Sequence, residues 1–244
     1  MHDSESTRFA AKDQARAWVW RRLQEAHAAA FPFPVQGRIP NFVGSGEAAR
    51  RLLAHPLIQG ATRLKVNPDS PQRRFRELAL GLGIELILPT PRLAGGFRRL
   101  DPGRIPWRHH AEASTIDGAA HWGEEVPVRD LPPVDAVIAG SVAVTRGGRR
   151  CGKGHGYGDL EYALLRSLGH PAVPVLTSVH ALQIVDDFPA DGHDLPVAVI
   201  VTATETITVA EPPRAPDGID WSLLSDADLE TMPVLQEARD ARTR

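Results

Sequence analysis

The stretch Arg149-Arg150-Cys151-Gly152-Lys153-Gly154-His155-Gly156-Tyr157-Gly158-Asp159-Leu160-Glu161 holds the densest chemistry in the chain. Gly152, Gly154, Gly156 and Gly158 alternate with other residues. Glycine admits left-handed and closely approached backbone, so successive N–H groups can turn toward one anion. Residues Asp159–Leu168 read as a helix, whose N-terminus would add free N–H groups and partial positive charge. Arg149, Arg150 and Lys153 bring cations to the same place. This construction suits a polyphosphate. It is not a Walker A loop, because Lys153 is followed by Gly rather than Ser or Thr. Nor is it the dinucleotide fingerprint, whose strand context and spacing differ. Asp159, at the expected N-cap, and Glu161, in the first turn, read either as ordinary helix-end residues or as magnesium ligands beside phosphates. Tyr157 would stack on a ligand or pack. Cys151 reads as a small filler rather than a reactive thiol.

These residues need a scaffold, and the chain supplies an α/β rhythm. Residues 1–9 are polar and expected to be disordered. Residues 10–30 read as a helix that Phe31-Pro32-Phe33-Pro34 ends, and residues 46–55 as a second. Ala61–Asn67, Gln72–Leu82 and Ile84–Leu88 form strand, helix and strand, with Phe75, Leu78, Ala79 and Leu82 on one helix face and Gly83 as C-cap. This is the βαβ pattern of a parallel sheet. Residues 90–133 show no clear periodicity. Apolar runs at Asp135–Ala139, Ser141–Thr145, Ala172–Leu176, Ala181–Val185 and Val197–Thr202 read as further strands, with Glu205–Val209 a candidate. From Glu211 the chain turns Pro-rich and ends in short helical stretches. The organisation expected is one α/β domain over 10–210 and a C-terminal arm over 211–244.

Composition narrows the function classes. The chain has 244 residues and a formal net charge of −2, which argues against a nucleic-acid partner held by charge. A single cysteine excludes a disulfide framework or a multi-thiolate metal site. No apolar run is long enough to span a bilayer. The first 30 residues lack a secretory signal pattern, so the cytoplasm is the expected location. Only three of the 28 basic residues are lysines, Lys12, Lys65 and Lys153.

Gly152-Lys153-Gly154-His155-Gly156-Tyr157-Gly158-Asp159 resembles the phosphate loop of the 5-formyltetrahydrofolate cyclo-ligase family. An ordered set of further segments resembles the methenyltetrahydrofolate synthetase domain-containing branch: Arg38–Phe42, Lys65–Gln72, Pro89–Leu93, Gly140–Val144, Gly158–Ala163 and His193–Leu195. The match runs over residues 12–209. The resemblance implies a three-layer α/β fold, a mostly parallel sheet flanked by helices, like the sugar-phosphate isomerases and CoA-transferases. It implies ATP and magnesium, with ATP and a reduced folate as the small-molecule partners. The reaction implied is phosphorylation of the formyl oxygen of 5-formyltetrahydrofolate, ring closure to the 5,10-methenyl product and release of ADP and phosphate. Phosphoryl transfer asks mainly for positioning and charge neutralisation.

Carried over residue by residue, Lys12 and Arg16 match the family's first-helix Lys-x-x-x-Arg and would reach the nucleotide. Arg150 and Lys153 would act on the transferring phosphoryl group, with Gly152, Gly154, His155, Gly156, Tyr157 and Gly158 around the phosphates. Asp159 and Asp194 would hold the metal. On the substrate side stand Lys65, Asp69 and Trp107, the last as a pterin stacker or a core residue. A monomer or homodimer is expected. The departures are specific. Family members have a folate-contacting Glu where this chain reads Asn67-Pro68-Asp69-Ser70-Pro71-Gln72. The loop's second Tyr is Gly158, and Leu160 stands where an Arg follows the Asp. The alternative is a divergent, non-catalytic nucleotide-binding member, regulatory or RNA-associated. Animal members carry an RNA-recognition domain after the shared region, and no segment here reads as its aromatic-bearing strands.

Overall fold

The computed structural model describes residues 6–242. Among the described residues thirteen strands run in chain order: β1 Ala29–Ala30, β2 Asn41–Phe42, β3 Arg63–Val66, β4 Glu85–Pro89, β5 Phe97–Leu100, β6 Glu124–Val126, β7 Ala136–Ile138, β8 Ala143–Thr145, β9 Arg150–Cys151, β10 Val175–Ser178, β11 Ile184–Val185, β12 Val199–Val201 and β13 Thr206–Thr208. The helices are α1 Lys12–Glu25, α2 Ser45–Leu53, α3 Arg73–Gly81, α4 His110–Ala113, α5 Ile116–Trp122, α6 Tyr157–Ser167, α7 Asp226–Thr231 and α8 Pro233–Arg242. None is long and apolar enough to cross a membrane among the described residues.

The main sheet has the order β13-β12-β10-β7-β3-β4-β5-β6. Its five central strands are parallel, and β13, β5 and β6 are added antiparallel at the edges. Strand alternation divides the core. Leu64, Val66, Leu86, Leu88, Ala136 and Ile138 face the layer of Phe75, Ala79 and Leu80 from α3 and Leu52 from α2. Ile87, Val137 and Ile200 face Leu164 and Leu165 of α6 and Leu235 of α8. By the same alternation Lys65, between Leu64 and Val66, points to the α6 layer. The result is the three-layer α/β architecture expected from the sequence. β8, β9 and β11 form a separate small sheet, covered by Ala15, Val19 and Leu23 of α1.

The chain runs from β3 through α3 to β4 on one side, and from β7 through α6 to β10 on the other. The sheet therefore has a switch point between β3 and β7, where a crevice opens at the strands' carboxyl ends. Asp135 helps set this register. Its Oδ2 accepts from the backbone N–H of Thr62 (2.7 Å) and of Arg63 (2.9 Å). Burial pushes its pKa up, but these hydrogen bonds outweigh that and hold it below the usual carboxylate value. A lowered folded-state pKa stabilises above the unfolded value and is lost as pH falls through the folded one. The melting-temperature gap between wild type and Asp135→Ala is thus expected to be full near pH 7 and to close below about pH 4. A gap independent of pH would contradict this role.

The structure corrects several expectations. The helix expected over 10–30 ends at Glu25. His27 takes φ +52°, and Ala29–Ala30 pairs with Asn41–Phe42. Residues 90–133 hold two strands and two helices. β5 and β6 carry Arg98, Arg99, Glu124 and Glu125, so they lack apolar alternation. They are held by pairs such as Arg98–Glu125 (2.8 Å) and Arg99–Glu85 (2.6 Å). Leu82 is exposed rather than buried, because α3 closes at Gly81 and the chain turns at Gly83 (φ +79°). Of the N-terminal segment expected to be disordered, residues 1–5 lie outside the described residues. Thr7 and Phe9, by contrast, donate backbone N–H groups to Asp186 Oδ2 and the Asp187 carbonyl, both at 2.9 Å. The arm is equally built in, since Ile219, Met232, Val234, Leu235 and Ala238 are buried in the α6-side core.

Candidate functional site

A cleft of about 350 Å³ lies at the switch point, bounded by the turns after β3, β4 and β7 and by the glycine loop. Asn67, Pro68 and Asp69 follow β3, Thr90, Pro91 and Arg92 follow β4, and Gly140 follows β7. Gly140 is required by close approach, since a Cβ there would lie 2.7 Å from Asp69 Oδ2. The loop enters from β9 and delivers Gly152, Lys153, His155, Gly156, Tyr157, Gly158 and Asp159 to the rim. Gly154 and Gly156 take φ +102° and +68°, a region open to glycine and strained for other residues. Gly156 is the N-cap of α6, so the helix starts two residues before its expected start, and Asp159 lies in the first turn rather than at the cap.

Arg150 is the loop's internal post. Its side chain is 2% exposed. It donates to the Gly140 carbonyl (2.9 Å), the Leu195 carbonyl (3.2 Å) and Asp159 Oδ1 (2.7 Å). Cβ atoms at Gly152 and Gly158 would each stand 3.2 Å from its guanidinium, so the loop wraps around it. Arg150 therefore positions the loop and its carboxylate rather than presenting a free cation. Asp159 Oδ1 also accepts from the Leu195 N–H at 2.8 Å. Its second oxygen has no hydrogen bond among the described residues. Lys153 is the exposed cation, 38% accessible, with Nζ 3.6 Å from Asp69 Oδ1.

The floor is a buried polar cluster. Lys65, fully buried, donates to Glu161 Oε2 and to Asn67 Oδ1 (3.1 Å), and Asn67 Nδ2 donates to Glu161 Oε2 (3.1 Å). Burial pushes the Glu161 carboxyl up, against the pull of Lys65. Lys65 thus supports the floor without lining it, whereas Asn67 and Glu161 do line it. Beneath the Asn67–Asp69 turn, buried Arg76 donates to the carbonyls of Asn67 (2.6 Å), Pro68 (3.1 Å), Asp69 (3.1 Å) and Ser114 (2.9 Å). Burial lowers its pKa to about 10. Cys151 is buried, and burial pushes its thiol up, in keeping with a filler.

Other expected site residues stand further out. Arg16 donates to the Gly152 carbonyl (2.7 Å) and buttresses the loop from behind. Lys12 bridges Asp191 and Asp194, at 2.6 Å to each. Burial lowers its pKa, and the two carboxylates more than compensate, leaving it raised. Asp194 also accepts from the Asp191 N–H (2.7 Å). An ammonium and a backbone N–H thus engage the Asp194 carboxylate, whose ligand atoms also lie within 4.8 Å of those of Asp191 and His193, a group that could hold a metal ion. Asp159, with one oxygen uncommitted beside the loop, does fit a single-carboxylate magnesium site completed by phosphate oxygens. Trp107 is the clearest correction. It is 83% exposed in a turn before α4 and lines a groove with Arg50, Leu53 and Leu82, which shares no residue with the cleft. Arg92 and Glu161 line the cleft without having been expected as substrate contacts. Arg92, at φ +57°, is a non-glycine residue in the left-handed region, a strained geometry that clusters at functional sites.

The sequence model of the 5-formyltetrahydrofolate cyclo-ligase family matches residues 8–203. A methenyltetrahydrofolate synthase domain-containing protein of Mus musculus is 39% identical over 235 residues, covering 94% of this chain and 63% of that protein. The chain thus spans less than two thirds of that relative's length. A 5-formyltetrahydrofolate cyclo-ligase of Mycolicibacterium smegmatis is 26% identical over 171 residues, covering 65% of this chain and 82% of that one. The NMR structure of Aquifex aeolicus 5,10-methenyltetrahydrofolate synthetase superposes with a TM-score of 0.52 at 19% identity, over 82% of this chain and 93% of that one, a likeness of fold.

Proposed function

Because the chain belongs to the 5-formyltetrahydrofolate cyclo-ligase family, we propose that it uses ATP to convert 5-formyltetrahydrofolate to 5,10-methenyltetrahydrofolate, in the cytoplasm. The observation that carries this reading is the glycine loop, with Lys153 at its exposed edge and Asp159 in the first turn of α6, opening onto a cleft at the sheet's switch point. The triphosphate lies along the loop's N–H groups and the start of α6. Lys153 neutralises charge on the transferring phosphoryl group, and Arg16 and Arg150 hold the loop in shape. Asp159 would hold magnesium, which would supply charge neutralisation for the phosphates when bound.

The reduced folate enters from the side of Asn67–Asp69, Pro91 and Arg92. Its formyl oxygen attacks the terminal phosphorus and ADP leaves. The ring-closing nitrogen then attacks the activated carbon and gives up its proton, and phosphate departs with the former formyl oxygen. No side chain need form a covalent intermediate, so charge placement and exclusion of water are what the cleft must provide. Formation of the methenyl chromophore, followed by its near-ultraviolet absorbance with ATP, magnesium and 5-formyltetrahydrofolate present, is the expected result. Absence of product with nucleotide bound would overturn catalysis. It would favour the divergent, nucleotide-binding reading, for which the stretch Asn67–Gln72, lacking the family's Glu, is the specific argument.

Lys153→Ala separates the loop from its surroundings. Lys153 is partly exposed and touches only Asp69 among the ion pairs, so the fold should be undisturbed. Loss of a charge-assisted phosphate contact is expected to weaken ATP binding about 10–100-fold. Titration calorimetry would read this directly, and an unchanged affinity would refute the loop assignment.

A further inference from the structure

The glycine loop is a ridge between two cavities. His155, Gly156, Tyr157 and Asp159 line the charged cleft on one side, and the same four residues line a second cavity of about 420 Å³ on the other. The second cavity differs in chemistry. Leu160 and Ala163 from α6 and Ile219, Leu223 and Leu224 from the arm give it an apolar wall, and His193, Asp220 and Asp228 also line it. The arm is a fixed wall. The Ile219 N–H donates to Ser167 Oγ at 2.8 Å, and a Cβ at Gly218 would lie 2.8 Å from the same oxygen. Asp220 is likewise oriented, its Oδ1 accepting from Ser222 N (3.1 Å) and Oγ (2.6 Å). Leu223, by contrast, is 57% exposed, a large apolar side chain left open along the cavity. The family match stops at residue 203, so this wall is built from chain beyond it.

We infer that residues 218–224 of the arm form the base-binding wall of the nucleotide site. This rests on the placement of a triphosphate on the glycine loop. A nucleotide is polar and anionic at one end and flat and largely apolar at the other. The two ends need different surroundings, and those stand on the two sides of one loop. With the phosphates along the loop, the base lies between Leu160 and Leu223, and the second oxygen of Asp220 accepts from an exocyclic amino group. The charged cleft is left free for the second substrate.

The test compares ATP with inorganic tripolyphosphate, each with magnesium, by calorimetry on the full chain. Leu223→Asp, at an exposed position, should weaken ATP binding about 10-fold and leave tripolyphosphate binding unchanged, while Lys153→Ala weakens both. Leu223→Ala should give a smaller effect in the same direction. ATP binding by Leu223→Asp equal to wild type, with Lys153→Ala still impaired, would overturn the base wall and leave the phosphate loop standing. Equal weakening of both ligands by Leu223→Asp would also overturn it, because the residue would then act through the loop. No effect of Lys153→Ala on either ligand would remove the phosphate reading itself, and the inference with it.

Discussion

Replacing Arg150 by alanine is expected to cost about 3–5 kcal/mol of folding stability, the range for removing one partner of a buried charge pair. It is also expected to abolish nucleotide binding. The guanidinium is almost fully enclosed and makes three hydrogen bonds, to Gly140, Leu195 and Asp159. Alanine would leave two carbonyls and a carboxylate short of a donor and empty the space around which Gly152 and Gly158 are folded. Arg150→Lys keeps the charge but loses the planar fork, which reaches three acceptors in different directions. A smaller loss is expected from it, with weakened but measurable ATP binding. Urea denaturation gives the first quantity and calorimetry the second. Stability of Arg150→Ala within about 1 kcal/mol of wild type would mean the loop is not built on this side chain.

Lys65→Met is expected to cost a similar amount, about 3–5 kcal/mol at neutral pH. The methionine fits the apolar stem's space, but Glu161 is left buried and charged with Asn67 as its remaining hydrogen-bond donor. The sign of the pH dependence follows. Without Lys65 the carboxyl is pushed further up than burial already pushes it. The folded state then binds a proton more tightly than the unfolded one, so stability falls as pH rises between the unfolded and folded values. The variant should therefore regain more stability than wild type on going from pH 7 toward pH 5. The double variant Lys65→Met, Glu161→Leu removes both charges and should recover most of the loss. A double variant as unstable as the single one would show that the pair is not the source of the cost.

The layers were readable because parallel strands buried on both faces are continuous apolar runs, as in Leu86–Leu88 and Val197–Val201, and because Pro and Gly punctuate them. The loop was readable from its glycine spacing. Residues acting through long-range partners were not. Arg150 looked like one more cation, and only the fold shows it enclosed by the backbone of Gly140 and Leu195. Arg76 sits among Phe75 and Ala79 on the buried face of α3, where its acceptors come from a different turn. Lys65 and Glu161 are nearly a hundred residues apart, and their pairing requires β3 to lie beneath α6. β5 and β6 were missed because ion pairs rather than apolar alternation hold them. Trp107 was assigned by residue type alone, and type does not say which side of a sheet a turn lies on. Lys12 and Asp194 were both singled out for a ligand, yet they bind each other.

On the proposed mechanism, the formyl oxygen of the folate is phosphorylated in this cleft. The most direct measurement uses 5-formyltetrahydrofolate labelled with oxygen-18 in the formyl group, with ATP, magnesium and the full chain, followed by mass spectrometry of the released phosphate. One labelled oxygen per phosphate, formed in step with the methenyl chromophore, is the predicted result. Phosphate free of label would show that water took the phosphoryl group, and would contradict the claim.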